Sequence, residues 1–267
     1  MIKGPISYAH AIDGDKTYCF FGDHHERNTK CRDNKKNVKT TKFSEYIDDL
    51  MKEEVHFFTE VRFFPNPTPE EYNQLIAYGE LNAKNNKSNS PFFQMVPWFW
   101  QRKQENPNYF HPLDIRRETP YYKGYMSSFA TYFLESPDLD KLFDFYMNKN
   151  DSFENEIYIK TCIQQVRQTS YRSKEIDLYL YDEWKEMKKY YGNLVDYVPF
   201  CALIMDAYAL HKMFQPEYKH VVCYVGHSHW SRYKRFLDYI GLDVKTILEP
   251  SGCIKILEVQ CGKKLKF

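Results

Sequence analysis

Most of the chemistry this sequence can perform is carried by two short motifs, Gly22-Asp23-His24-His25 near one end and Gly226-His227-Ser228-His229 near the other. Neutral imidazole and ionised carboxylate are the customary ligands of zinc, manganese and iron. His25 and His229, joined by Glu60, make a two-histidine, one-carboxylate set with coordination positions left open. Such a centre polarises a carbonyl or phosphoryl oxygen, or ionises a bound water at neutral pH. Asp23, where it does not ligate, would orient a histidine or act as a general base, and His227 joins the catalytic candidates. Asp114 with Arg116 or Arg117 completes the set, a guanidinium being suited to an anionic substrate or a developing oxyanion. Each of these has a plainer reading: a single histidine as a hydrogen-bonded structural residue, Asp114 and Arg116 as a structural ion pair. The two histidine motifs together favour a metal or catalytic centre.

These residues need a frame that joins the two ends of the chain. Thr17 to Phe21 runs into the first motif and Val221 to Val225 into the second. Both runs are rich in β-branched and aromatic residues and end in Gly, the pattern of buried strands. Val55 to Glu60 and 109–114 read likewise, as do 244–248 and 254–259. Helical patterns occupy 127–147 (broken at Ser136-Pro137), 153–168, 199–214 and 231–240, the last ending at Gly241. Ligands gather at the carboxyl ends of strands in open α/β sheets. The expectation is one α/β domain over 1–267: a mixed central sheet flanked by helices, with the site at the strand carboxyl ends and the two histidine strands as neighbours.

Two stretches read as insertions. Residues 26–42 are polar and basic. Residues 65–107 open with Pro65-Asn66-Pro67-Thr68-Pro69 and reach an aromatic knot of Phe92, Phe93, Trp98, Phe99 and Trp100. A connection of that length predicts a lid-like insertion over the pocket, with packing on the back of the sheet as the alternative.

The ordered set Gly22-x-x-His25, Glu60, Asp114-x-Arg116 and Gly226-x-x-His229 followed by a helix resembles the superfamily of erythromycin-esterase-like, ChaN-like and TraB/Tiki proteins. The resemblance covers most of the chain outside 65–107. It implies a mixed sheet with a polar pocket across the strand tips, and members are variously proposed as metal-dependent proteases, esterases and haem binders. Asp23 departs from that pattern, standing where the esterase-like branch often has Glu. A second resemblance, of Asp23-x-His25 and Gly226-His227-x-His229, is to calcineurin-like phosphoesterases, but their GDxxD and GNH[DE] motifs are absent here. The function expected is therefore a metal-dependent hydrolase of ester, amide or phosphoester bonds. A calcineurin-like phosphoesterase and a non-catalytic binding or structural (viral) protein on the same fold are the alternatives. The cofactor expected is a divalent ion, manganese, zinc or iron, with haem as the alternative. A small molecule or peptide is the expected substrate.

Composition narrows the class further. The chain has 267 residues, 43% of them hydrophobic and 18% aromatic, which favours a folded globule. Net charge is +1 with a pI near 7.6, so no global field attracts nucleic acid or a membrane surface. The bias to Tyr, Phe, Asn and Lys fits an AT-rich genome such as that of a large DNA virus or a protist. Seven scattered cysteines without a CxxC pair read as reduced, mostly buried thiols. With no apolar leader and no membrane-length run, the expected location is cytoplasmic, or a virion. No phosphate-binding glycine loop, G-x-S-x-G elbow or HExxH is present, which argues against kinases, serine hydrolases and zincins.

Overall fold

A computed structural model describes residues 2–3, 5–23, 41–51, 54–64, 67–85, 91–116, 139–147, 157–191, 197–248 and 253–254. In chain order the first half holds β1 (Ile2–Lys3), β2 (Ser7–Asp13), β3 (Lys16–Asp23), β4 (Thr41–Lys42), α1 (Phe43–Leu50), β5 (Val55–Arg62), α2 (Pro69–Asn85), α3 (Pro91–Glu105) and β6 (Phe110–Asp114). The second half holds α4 (Leu139–Met147), α5 (Ile157–Thr169), α6 (Ser173–Tyr191), α7 (Tyr197–Met213), β7 (His220–Gly226), α8 (His227–Tyr239), β8 (Lys245–Leu248) and β9 (Cys253–Ile254). The chain divides into two compact units, Met1–Pro112 with Tyr218–Phe267, and Leu113–Glu217, a finer division than the one domain read from the sequence.

The first unit is built on a mixed six-stranded sheet in the order β6-β5-β7-β3-β2-β8, which makes the fold α/β. β7 lies between β3 and β5 and runs parallel to both, so the strands from the two ends of the sequence are neighbours. β2 and β8 add antiparallel strands on the β3 side. β1, β4 and β9 form a small separate sheet. β2 is the strand of the six-stranded sheet that sequence reading missed, because Ser7-Tyr8-Ala9-His10-Ala11 alternates without the large β-branched residues that mark its neighbours.

Register decides which side chains share a face. Directly paired residues point the same way, and successive residues point to opposite faces. Phe21 pairs with Tyr224 and Thr59 with the same Tyr224, so Phe21, Asp23, Phe57 and Tyr224 lie on one face. That face is covered by α1 and α3: Phe43 stands 4.6 Å from Tyr224 and 4.9 Å from Phe21, and Trp98 stands 5.8 Å from Phe57, ring centroid to centroid. Gly22, Phe20 and Glu60 point to the other face, where α8 sits, with Tyr233 edge-on to Phe20 at 5.8 Å. Burying each such ring contributes roughly 1.5–3 kcal/mol, which fixes the strand register firmly.

The aromatic knot corrects the lid expectation. Residues 65–107 contribute two helices, α2 and α3, and Phe99 and Trp100 are buried in the cluster that holds Phe21, Phe57 and Tyr224. Trp98 packs against the same cluster, on the face opposite Glu60 and α8. Its indole N–H donates to Asp48 Oδ2 on α1, and Arg102 donates to both Asp48 oxygens. The segment is structural because its rings are spaced at helical intervals and close the α1 side of the sheet. Gly79 permits the tight pairing of α2 and α3, since a Cβ there would stand 3.0 Å from Pro97 N. Pro97 and the polar composition of α2 obscured this helical pair in the sequence.

The second unit is helical. α7 is buried almost all round, from Leu203 to Leu210, which marks it as the central helix of its unit. Phe143 stacks on Trp184 at 5.4 Å, and the Trp184 indole donates to Asp140 Oδ1. Cys162, Cys201 and Cys223 are buried and are not disulfide-bonded. Cys19 is disulfide-bonded, which corrects the reading of reduced thiols at that position. Pairing among scattered cysteines is set by the fold and is not deducible from spacing. Among the described residues no helix is long and apolar enough to cross a membrane.

Candidate functional site

The carboxyl ends of β3, β5 and β7 bring the predicted residues to the rim of the sheet, and register then divides them. Glu60 is the sixth residue of β5 and faces the α8 side. His229 lies in the first turn of α8, which begins directly after β7. Their side chains meet: His229 Nε2 stands 3.4 Å from Glu60 Oε1, with both side chains largely buried. The second Glu60 oxygen accepts the backbone N–H of Gly226 at 2.9 Å. One carboxylate thus ties the end of β7 to the first turn of the helix that follows it, and its orientation is set by a backbone donor.

Asp23 sits elsewhere. It shares the Phe21 face, and its Oδ2 accepts the Tyr224 hydroxyl at 2.9 Å. Asp23 is 4% exposed and Tyr224 fully buried, so this pair is held away from solvent. Burial, and then the Asp23 charge, push the Tyr224 hydroxyl's pKa well above its ordinary value and keep it a donor. Asp23 and Glu60 therefore stand on opposite faces of the sheet. Tyr224 was missed in the sequence because it sits inside an apolar strand, where a ring reads as core.

His227 turns to a different neighbour. Its Nδ1 lies 3.1 Å from Ser7 Oγ on β2, and its ring stacks on Trp230 at 5.1 Å. Trp230 is anchored by its indole N–H donating to Phe20 O at 3.0 Å. Gly22 makes room for this group: a Cβ there would strike Ser7 Oγ and come within 2.8 Å of Trp230 Cβ. The glycine of the first motif is thus required by close packing under α8.

Asp114 and Arg116 form the ion pair that the plainer reading anticipates. Arg116 Nε donates to Asp114 Oδ1 at 2.8 Å, and the Arg116 backbone N–H donates to the same oxygen at 3.2 Å. Both fall in the helical unit. His25 and Arg117 lie outside the described residues. Among the described residues no three His, Cys, Asp or Glu side chains converge, a set from which His25 is missing. Among the described residues, those at this rim available for chemistry are the Glu60–His229 pair on one flank of the α8 N-terminus and His227 on the other.

Comparison with family models, with curated proteins and with solved structures finds no match to this chain.

Proposed function

We propose that this chain is a metal-dependent hydrolase of ester, amide or phosphoester bonds, with His25, Glu60 and His229 holding one manganese, zinc or iron ion. One observation carries the reading: the 3.4 Å separation of His229 Nε2 and Glu60 Oε1 at adjacent strand tips. Charge-assisted N–H···O bonds run at about 2.7–2.9 Å. Donors held ~2.0–2.2 Å from a tetrahedral ion stand roughly 3.4 Å from one another. The Gly226 N–H on the second Glu60 oxygen supplies the outer hydrogen bond that orients a ligating carboxylate. The ion would supply Lewis acidity and an ionised water. Glu60 and His229 bind and orient it, and the N-terminus of α8 favours negative charge gathering on the substrate oxygen.

The resemblance to erythromycin-esterase-like, ChaN-like and TraB/Tiki proteins supports the same reading. The helix that starts at His227 favours it over the calcineurin-like alternative, in which an irregular loop or strand follows that motif. The test is hydrolysis of aryl phosphate and aryl ester substrates by the purified chain across a panel of divalent ions, with His229→Ala as control. Ion-dependent turnover that falls at least ~100-fold in His229→Ala is expected, since even outer-shell changes cost 10–100-fold. Ion binding without turnover of any substrate would shift the assignment to a binding module. A Soret band on reconstitution would shift it to haem.

A further inference from the structure

We infer that Ser7 is a positioning residue for His227, fixing its ring as the tautomer with the proton on Nε2 and so making His227 a hydrogen-bond donor to substrate instead of a base. Ser7 is fully buried on β2, and His227 Nδ1, at 3.1 Å, is its hydroxyl's partner among the described residues. A hydroxyl has one proton to give and lone pairs to spare. If Ser7 accepted from Nδ1–H, its own proton would be buried without an acceptor, at a cost of about 1–3 kcal/mol. By donating, it leaves only lone pairs unused. The hydroxyl therefore donates, Nδ1 accepts, and a neutral ring then carries its proton on Nε2.

The rest of the packing makes this arrangement rigid. The ring stacks on Trp230 at 21° between planes, and Trp230 is tied to the Phe20 carbonyl. Gly22 leaves the space in which Ser7, His227 and Trp230 converge. Residues two apart on a helix do not share a face, so His227 takes the β2 flank of the α8 N-terminus and His229 the β5 flank. A fixed Nε2–H at that rim is suited to the oxygen on which negative charge develops during acyl or phosphoryl transfer. That catalytic role rests on the hydrolase reading, whereas the tautomer does not.

The experiment is side-chain nitrogen NMR of the full chain with labelled histidine at roughly pH 8.5, above the ordinary histidine pKa of ~6.5. The His227 signals are assigned by their loss in His227→Gln. The expected result is an Nε2–H ring in the unaltered protein, a mixture of tautomers in Ser7→Ala, and the single tautomer again in Ser7→Thr. In the hydrolase assay, kcat should fall about tenfold in Ser7→Ala with KM and bound metal unchanged, and recover in Ser7→Thr, below the 10²–10³ loss of a whole oxyanion donor. An Nδ1–H ring in the unaltered protein overturns the inference, and that measurement needs no variant to fold. So does a tautomer that Ser7→Ala leaves as it was. The expected tautomers in a chain that binds no metal and hydrolyses nothing would remove the hydrolase reading and leave Ser7's hold on His227 standing.

Discussion

Asp23 and Glu60 are both carboxylates at strand tips, yet the two-residue period of a strand sends them to opposite sides of the sheet. Glu60 meets His229, and Asp23 meets the hydroxyl of Tyr224. The residue types at the rim were legible in the sequence. Their division was not, because it depends on which residues pair across β3, β7 and β5. The Asp23–Tyr224 pair is buried, so removing the donor leaves a carboxylate short of a partner. Tyr224→Phe should destabilise the protein by about 1–3 kcal/mol, read from urea unfolding, while the metal binding proposed for Glu60 and His229 is retained. Loss of metal binding in that variant at unchanged stability would place Asp23 in the centre after all.

At the scale of elements, the placement of β3 beside β7 followed from two apolar runs ending in similar motifs, and the structure pairs them in parallel. What the sequence hid was the role of glycine and of the aromatic helices. Gly22 reads as punctuation before a motif but lets α8 rest on β3. Gly22→Ala should cost about 1–3 kcal/mol by overpacking against Ser7 and Trp230. A shift in Trp230 fluorescence should accompany it, and an unaltered melting temperature would contradict the packing described. The α2–α3 pair poses the opposite case, a segment expected over the pocket that closes the far face instead. Phe99, fully buried, should cost about 3–5 kcal/mol on substitution by Ala. In the hydrolase activity proposed above, its folded fraction should show an unchanged KM. A raised KM at unchanged stability would restore the lid.

At the scale of the molecule, the helical unit carries its own acid-sensitive knot, which no short motif in the sequence advertised. Arg167 donates through Nε and an Nη to Asp177, and His211 Nε2 stands 3.2 Å from the same carboxylate. Burial holds His211 below its ordinary 6.5, with Asp177 pulling the other way. For Asp177, burial alone would raise the carboxyl, and the close approach of His211 together with the hydrogen bonds from Arg167 outweighs it, holding it below 3.8. Both folded values lie beneath the unfolded ones, so the stability they contribute is present at higher pH and is lost on acidification. His211 acts first, below pH 6.5, and Asp177 only below 3.8. His10 in the sheet unit is also lowered, by burial and then Lys245, and adds in the same direction. Melting temperature should therefore hold steady above about pH 6.5 and fall below it, with a shallower fall in His211→Gln. An equally steep fall in that variant would contradict the assignment. The site itself is tested most directly by titration calorimetry of manganese, zinc and iron(II) into the metal-stripped chain, alongside Glu60→Gln and His229→Ala. The account predicts one saturable ion per chain that is lost or weakened at least ~10–100-fold in both variants. Binding that both variants retain at full strength, or no binding by the unaltered protein, would contradict it.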